Sequence, residues 1–489
     1  VSAAGSFWHP DALRAAAGGG RWLRRPVDST APVPDLAGLS TDSRSIKPGQ
    51  VFLALRGENF DGHDFIHDAV RRGAGMAILD TPPSQIDTFP PATHILLVDD
   101  SLKALTRLAT AYRKSLKTTR FIAVTGSSGK TTTKQMLSAV LSRKFRITAS
   151  PRSFNNHIGV PLTALSAGNR DQYVICEIGT NNPGEIAALT SIVVPDIGVI
   201  TGIGRVHIEG LGSLEGVANE KAALLHGLAH GGWAAVNIDE PAVLPHLESM
   251  ERGVTFGFST DADLRITECE MNDSGTTFAL NDRSRWNIGL HGMHHASNAT
   301  AAVAVGRRCG LSDAEIRAGL LAVAPPAMRF VRHLLGSLEL FDDSYNANPE
   351  SMKASIRTFR QLTSNRSGRV VVILGDMLEL GSLSEAAHLE LAEELSDCSQ
   401  SIAPPHLAIL IGPNMRHAAA SLHDRDEALS VVHMESASPP DVLDLLQATD
   451  RILVKGSRGM RLERVVDAIM ARFDSTRYGI ETPEAATQP

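Results

Sequence analysis

Short apolar runs alternate with amphipathic stretches along most of the chain. Phe121-Ile122-Ala123-Val124 is an unbroken apolar run. Glycines follow it, and then a stretch from Lys130 to Lys144 in which Met136, Leu137, Val140 and Leu141 share one helical face. Apolar runs recur at Tyr173–Ile178, Ile197–Thr201 and Ala234–Ile238, with helical stretches between them. Strands of this kind alternating with helices predict a mostly parallel sheet covered by helices on both faces. The polar stretch Asp261–Asn287 breaks the pattern and reads as short antiparallel strands, before a helix from about Ser297 to Arg308.

Two smaller α/β patterns flank this one. On the N-terminal side, Gln50–Leu55 and His94–Val98 read as strands and Phe65–Arg72 and Leu102–Leu116 as helices. The proline-rich stretches Pro26 to Pro34 and Pro82 to Pro91 read as loops. Pro325-Pro326 marks the next boundary. Beyond it Leu338–Asp342, Val370–Leu374, Leu407–Ile411 and Ile452–Val454 read as strands, and Glu350–Arg360, Ser384–Glu394 and Asp441–Gln447 as helices. The polar tail from Ser475 is expected to fray. The expected fold is α/β in three domains: a small N-terminal α/β domain (1–117), a central P-loop ATPase-like domain with a mostly parallel sheet (118–326), and a C-terminal Rossmann-like α/β domain (327–489).

Composition narrows the function classes. With 43% hydrophobic and 21% charged residues the chain is neither disordered nor collagen-like. A formal net charge of −7 argues against general nucleic-acid binding, which calls for a basic face. Cys176, Cys269, Cys309 and Cys398 lie far apart with no CxxC pair, so neither a zinc cluster nor a disulfide framework is expected. There is no apolar run of about 18 residues and no charged-then-apolar opening, so a cytoplasmic protein with no membrane insertion is expected.

The strongest chemical signal is Thr125-Gly126-Ser127-Ser128-Gly129-Lys130-Thr131-Thr132, which leaves a strand and opens a helix. Glycines there let backbone N–H groups approach phosphate oxygens, and the helix N-terminus adds positive potential. Lys130 can reach terminal phosphates and a threonine hydroxyl can hold Mg²⁺, although Val124 stands where the longer GxxxxGK[ST] pattern has glycine. Glu177, at a strand end, would lie beside this loop and could hold Mg²⁺; alone, such a glutamate is more often a cap or a surface charge. His207 and Lys221 carry little signal by themselves. A loop histidine is usually structural, and an unmodified lysine has no acceptor with which to bind a cation. Phe341-Asp342-Asp343-Ser344-Tyr345-Asn346-Ala347-Asn348-Pro349 is an Asp/Asn-rich turn entering a helix capped near Asn348, with more polar groups than a cap needs. Arg329 lies at the presumed hinge, where it could clamp a polyphosphate.

Together these residues resemble the Mur ligase family, and most closely its MurF branch, over nearly the whole chain. The resemblance rests on Ser40-Thr41-Asp42-Ser43-Arg44 and Asp61-Gly62-His63-Asp64-Phe65, on the phosphate loop, and on Ser153-Phe154-Asn155-Asn156-His157. It continues through Glu177-Ile178-Gly179-Thr180-Asn181-Asn182, His294-His295-Ala296-Ser297-Asn298, the Asp343 turn, Leu374-Gly375-Asp376-Met377-Leu378-Glu379-Leu380-Gly381 and Val454-Lys455-Gly456-Ser457-Arg458. It implies an ATP-dependent amide ligase that adds D-alanyl-D-alanine to UDP-N-acetylmuramoyl-tripeptide through an acyl phosphate, acting as a monomer. It implies that Gly126, Ser127, Ser128, Gly129, Lys130, Thr131 and Thr132 bind ATP phosphates, with Asn298 facing adenine, Arg329 the phosphates and Asp343 the ribose. Thr131 and Glu177 would hold one Mg²⁺, and His207 with a carbamylated Lys221 a second. Lys130, His207 and Lys221 are the implied catalytic groups. Ser43, Arg44, Asn155, Asn156, Asn346 and Asn348 are candidate substrate contacts, with Asp376 a further possibility. Asn182 departs from the pattern, since relatives often carry histidine there. The DNPR-type motif of the diamino-acid-adding branch is absent. A diamino-acid ligase, a folylpolyglutamate-type ligase, a small-molecule kinase and a non-catalytic ATP-binding regulator are the alternatives. The C-terminal domain is expected to close on the central one when ATP binds.

Overall fold

The computed structural model describes residues 7–26, 36–57, 60–364, 368–397, 405–423 and 429–473. Most of the proline-rich stretch to Pro34, the tail from Ser475 and Cys398 lie outside them. The strands fall into three sheets, and the chain divides into two compact units. The first unit comprises 1–202, 218–264 and 300–319; the second comprises 203–217, 265–299 and 320–489.

The first unit opens with α1 (Pro10–Ala16) and a five-stranded sheet of β1 (Arg21–Arg24), β2 (Leu39–Ser40), β3 (Val51–Leu53), β4 (Met76–Leu79) and β5 (His94–Leu97), in the order β1-β5-β4-β3-β2. Only β1 runs antiparallel to its neighbour. α2 (Ile66–Arg71) and α3 (Ser101–Ser115) accompany it. Asp100 caps α3 by accepting from the Lys103 N–H at 2.9 Å, and Ala104, Leu105, Leu108 and Tyr112 form its buried face. The far end of α3 is tied into the next layer. The Tyr112 hydroxyl donates to the Ala167 carbonyl (2.7 Å), and Arg113 donates to Val193 O (2.7 Å) and Asp196 Oδ2 (3.0 Å).

That layer is the parallel sheet the alternation predicted. β6 (Arg120–Thr125), β7 (Ile147–Ala149), β8 (Tyr173–Glu177), β9 (Ile197–Ile200), β10 (Trp233–Asn237) and β11 (Gly253–Gly257) lie in the order β11-β10-β9-β6-β8-β7, all parallel. Its central strands are apolar on both faces because helices cover both. These helices include α4 (Lys130–Leu141), α5 (Gly159–Leu165), α6 (Glu185–Val193) and α8 (Leu214–His226), which follows the short α7 (Ile208–Leu211). Part of α9 (Met293–Arg308) and α10 (Asp313–Leu321) returns to this unit. There Gly319 lies so close to α4 that a Cβ would meet the Val140 Cα at 2.5 Å.

In the second unit β12 (Leu264–Asn272), β13 (Gly275–Leu280) and β14 (Arg285–Ile288) form the expected antiparallel meander. β15 (Val331–Leu335), β16 (Leu338–Asp343), β17 (Val370–Gly375), β18 (Leu407–Ile411), β19 (Ser430–Met434) and β20 (Arg451–Lys455) form a sheet in the order β15-β16-β20-β17-β18-β19, antiparallel only at β15–β16. α11 (Pro349–Thr363), α12 (Ser384–Ser396) and α13 (Met415–His423) bury Met352, Phe359 and Leu391 against one face. α14 (Pro439–Asp444) and α15 (Glu463–Phe473) bury Val442 and Ile469 against the other. α9 begins at Met293, a turn earlier than expected, because Gly292 at φ +127° ends the incoming loop. The helix expected over Asp441–Gln447 instead starts on Pro439, whose fixed φ suits a first turn, and stops at Asp444. Among the described residues no helix is long and apolar enough to cross a membrane, and Cys176, Cys269 and Cys309 are free thiols.

Candidate active site

β6 delivers the chain into the phosphate loop, and the loop is built around the end of β9. Gly126, at φ +145°, lies against Thr201, where a Cβ would come within 2.0 Å of the hydroxyl oxygen; no side chain is tolerated there. The Thr201 hydroxyl donates to Ser128 O at 2.5 Å, and the Ser127 and Ser128 N–H groups both turn inward to Gly202 O, at 2.8 and 3.3 Å. These two amides therefore brace the loop, where the sequence had suggested that they face phosphate. Anion binding then falls to the start of α4. Its cap residue, Gly129, has a left-handed backbone and no side chain to cover the helix end. The Lys130 ammonium lies over the loop, donating to Gly126 O (2.6 Å) and Ser127 O (3.2 Å).

Glu177 closes β8 one strand away and is 1% exposed. Its Oε1 accepts from the Thr131 hydroxyl (3.1 Å) and the Asn155 amide (3.0 Å), and its backbone N–H donates to Ser150 Oγ (3.1 Å). Its Oε2 lies 3.0 Å from the Lys134 ammonium but has no hydrogen-bonding partner, so that ion pair is off the hydrogen-bonding direction. Lys134 aims its N–H at the Arg152 carbonyl. A buried carboxylate with a hydroxyl beside it and an unsatisfied oxygen is a hard-oxygen donor set, which suits Mg²⁺. Among the described residues no three His, Cys, Asp or Glu side chains converge on a metal position.

Lys221, on α8, is 1% exposed. Burial first, and the nearby Lys130 ammonium second, hold its amine well below the usual lysine range. Its acidic neighbours are committed elsewhere. Glu220 accepts from the Gly184 (2.7 Å) and Ile186 (2.8 Å) N–H groups, and Glu185 accepts from the Asn181 N–H (2.8 Å) and the Asn182 side-chain amide (3.0 Å). Asn182 thus braces the start of α6. The first unit therefore gathers Gly126–Thr132, Glu177, Lys221 and Asn155. Asn156 is turned aside, its Oδ1 accepting from the Ile158 and Gly159 N–H groups (3.1 and 2.9 Å) at the start of α5. In the same unit Ser43 is buried, while Arg44 is exposed and forks onto Asp42 (2.9 and 2.8 Å).

The remaining candidates belong to the second unit. His207 has a left-handed backbone, φ +51°, and its Nδ1 lies 2.5 Å from Glu379 Oε2. Two residues earlier Arg205 forks onto Glu390 (2.9 and 2.8 Å) and also donates from Nε to Glu350 (3.0 Å); Lys353 joins Glu390 at 2.6 Å. Asn298 is buried on α9, one turn past His294. Burial lowers the pKa of His294 to about 4 and holds His295 well below its usual range. Asp343 and Lys455 act electrostatically on His294, and Arg329 on His295, so Asn298, Arg329 and Asp343 share one region. The Arg329 guanidinium stacks 4.3 Å over the Tyr345 ring. Asp343 accepts from the Phe330 N–H (3.1 Å), the Ser355 hydroxyl (2.5 Å) and the Lys455 ammonium (2.7 Å). Asn348 forms a reciprocal capping box with Ser351 on α11, the Asn346 side chain accepts from the Arg458 N–H (3.1 Å), and Asp376 accepts from the Asn414 and Met415 N–H groups (3.1 and 2.9 Å). Each of the three has a local structural task. Lys134, Lys455 and Arg205 were not singled out as functional residues. Lys134 had a signal, since it follows Lys130 by one helical turn; Arg205 and Lys455 needed the fold.

The chain matches three family descriptions in succession: the Mur ligase family catalytic domain over residues 35–113, the Mur ligase middle domain over 124–306, and the Mur ligase glutamate ligase domain over 328–458. It is 36% identical over 444 residues to the UDP-N-acetylmuramoyl-tripeptide–D-alanyl-D-alanine ligase of Bacillus subtilis, covering 88% of this chain and 92% of that one. It is similar in structure to MurF from Acinetobacter baumannii, with a TM-score of 0.81 and 29% identity over 95% of this chain and 99% of that one. MurF from Thermotoga maritima, solved in complex with ADP, matches with a TM-score of 0.75 and 25% identity over 90% and 98% of the two chains. A likeness of this extent, carried by both sequence and fold, shows that the chain belongs to the Mur ligase family.

Proposed function

We propose that this chain uses ATP to join D-alanyl-D-alanine to UDP-N-acetylmuramoyl-tripeptide, a step of peptidoglycan precursor synthesis. The single observation that carries the chemistry is the cluster at the ends of parallel strands: Lys130 over a glycine loop, Thr131 on Glu177, and a buried Lys221. The choice of amine rests on its likeness, over 88% of the chain, to ligases named for D-alanyl-D-alanine.

In this reading the tripeptide carboxylate attacks the γ-phosphorus of ATP, ADP departs, and an acyl phosphate remains. The free amine of the dipeptide attacks that carbonyl, phosphate leaves, and the amine gives up a proton. Lys130 and the open N-terminus of α4 offset charge on the transferring phosphoryl group. Thr131 and Glu177 would hold one Mg²⁺, and His207 and a carbamylated Lys221 a second; the chemistry they would supply is polarisation of phosphoryl oxygens and alignment of the reactants. The depressed basicity of Lys221 supports carbamylation, because only a neutral amine adds CO₂. Asn298 and Arg329 orient adenosine and phosphates, Asp343 the ribose, and Ser43 and Arg44 the uridine end. The working division is 1–117 for the UDP substrate, 118–326 for ATP and 327–489 for the amine, in a cytoplasmic monomer without nucleic-acid partners.

The test is mass spectrometry of the product formed from UDP-muramoyl-tripeptide, ATP and D-Ala-D-Ala, with meso-diaminopimelate and L-lysine offered in competition on the dipeptide acceptor. A pentapeptide product is expected. Addition of a diamino acid to the dipeptide acceptor, with no D-Ala-D-Ala product, would leave the diamino-acid ligase standing. For Lys221, ¹³C-bicarbonate should give a carbamate carbon signal that disappears in Lys221→Ala, along with most of the activity.

A further inference from the structure

Lys134 plays no part in the reaction described above, yet its ammonium lies 3.0 Å from the carboxylate on which that reaction depends. Its side chain is 4% exposed and that of Glu177 is 1% exposed, so neither charge can be left to solvent. The ammonium lies 3.0 Å from Glu177 Oε2, while its N–H is aimed at the Arg152 carbonyl. Glu177 Oε1 takes the Thr131 hydroxyl and the Asn155 amide, and Oε2 takes no hydrogen bond at all. Lys134 is therefore anchored by the main chain beside the carboxylate and supplies its field without using up the oxygen.

We propose that Lys134 is a positioning residue: a resident counter-ion that orients Glu177 and makes metal binding there depend on nucleotide. A bare divalent cation approaching Glu177 meets a carboxylate whose charge is already balanced by Lys134, and it is repelled by Lys134 itself. A cation arriving with a polyphosphate brings its own negative charge, and Lys134 then helps to hold the complex. The same lysine ties Glu177 to the Arg152 carbonyl, and so to the loop that carries Asn155. This inference rests on the reading of Glu177 and Thr131 as Mg²⁺ ligands.

The test is Mn²⁺ binding, followed by electron paramagnetic resonance, to the full chain with and without ADP. In Lys134→Met, nucleotide-free Mn²⁺ binding should tighten about tenfold, since one unit of positive charge has left the immediate surroundings of the carboxylate. Lys134→Arg should stay near wild type. Lys134→Gln removes the charge but keeps a donor for Arg152 O, so it answers the question if the methionine variant fails to fold. Nucleotide-free affinity unchanged in both neutral variants would overturn the proposal. Glu177→Gln separates the two readings. If it leaves Mn²⁺ binding in the presence of ADP intact, the metal assignment itself falls. If it abolishes that binding while the Lys134 variants behave as wild type, only the counter-ion role falls.

Discussion

Two buried lysine–carboxylate pairs stand at strand ends, one in each unit: Lys134–Glu177 at the end of β8 and Lys455–Asp343 where β16 and β20 finish, at 3.0 and 2.7 Å. They look alike as ion pairs and differ in what surrounds them. Asp343 takes three donors, and Lys455 also donates to Asn346 O at 2.9 Å, so this pair closes the Asp343–Pro349 turn as a hydrogen-bonded unit. Glu177 keeps one oxygen without a hydrogen bond. Burying two charges is costly, and hydrogen bonds to every remaining position are what offset it. The satisfied pair therefore holds shape, and the unsatisfied one retains capacity for a ligand.

The contrast is broken most severely beside Glu177. Lys130→Ala should lower turnover about a thousandfold, as loss of a group facing transition-state charge does, while the melting temperature barely moves, because the loop is braced through Thr201 and Gly202. Phosphate release and calorimetry on the same preparation check both halves. At the other pair the balance reverses. Asp343→Ala strands a buried ammonium, and about 3 kcal/mol of stability should be lost, read as a shift in the urea midpoint. A stable Asp343→Ala protein whose only defect is nucleotide affinity would remove the distinction drawn here.

How much of this was legible in the sequence follows the same division. β6, β8 and β9 declare themselves because helices cover both faces and leave the strands apolar throughout. Glu177 and Lys130 are legible because they terminate or follow such strands. β19 is half-buried and lacks that signature, and β2 is two residues long. The inward turn of the Ser127 and Ser128 amides depends on the Gly202 carbonyl, brought there only by strand pairing. The partners of Asp343 come from positions 330, 355 and 455, and no local pattern links them. Asn156 and Asn348 read as ligand contacts, and the sequence does not show that their Oδ1 atoms also cap their own helices, because cap residues and binding residues are the same amino acids.

Acid should expose the second unit's buried imidazoles. His294 is held down to about 4 by burial, and burial with the neighbouring His294 holds His295 well below the usual histidine range. Between the ordinary histidine value near 6.5 and about 4, the unfolded chain binds protons that the folded chain refuses. Stability is therefore complete above that window and is lost as pH falls through it. His294 retains a partly exposed edge, so its share is the smaller of the two. The check is the urea midpoint from pH 7 to pH 4. His295→Gln should flatten the slope, and an unchanged slope would move its cause to other groups.

The smallest effect expected is at the clasp that holds the His207 segment to α11 and α12. Arg205 forks onto Glu390 and also reaches Glu350, and it draws the Glu390 carboxyl down to about 2, with Lys353 assisting. The geometry is as close as that of the buried pairs, but the Arg205 and Glu390 side chains are 25% and 33% exposed, so water and salt screen them. Glu390→Gln should cost about 1 kcal/mol at low ionic strength, since bidentate geometry and a second acid lift it above the ordinary surface pair. Most of that loss should vanish in 1 M salt (about a 3 Å Debye length), whereas the deficit of Asp343→Ala should persist. The sign with pH is the usual one for a depressed carboxylate: the contribution is present above the unfolded value near 4.5 and is lost as pH falls towards about 2. It therefore fades below the histidine window, and the two can be separated in one titration. A Glu390→Gln deficit that survives high salt undiminished would place this clasp with the buried pairs, and exposure would cease to be what distinguishes them.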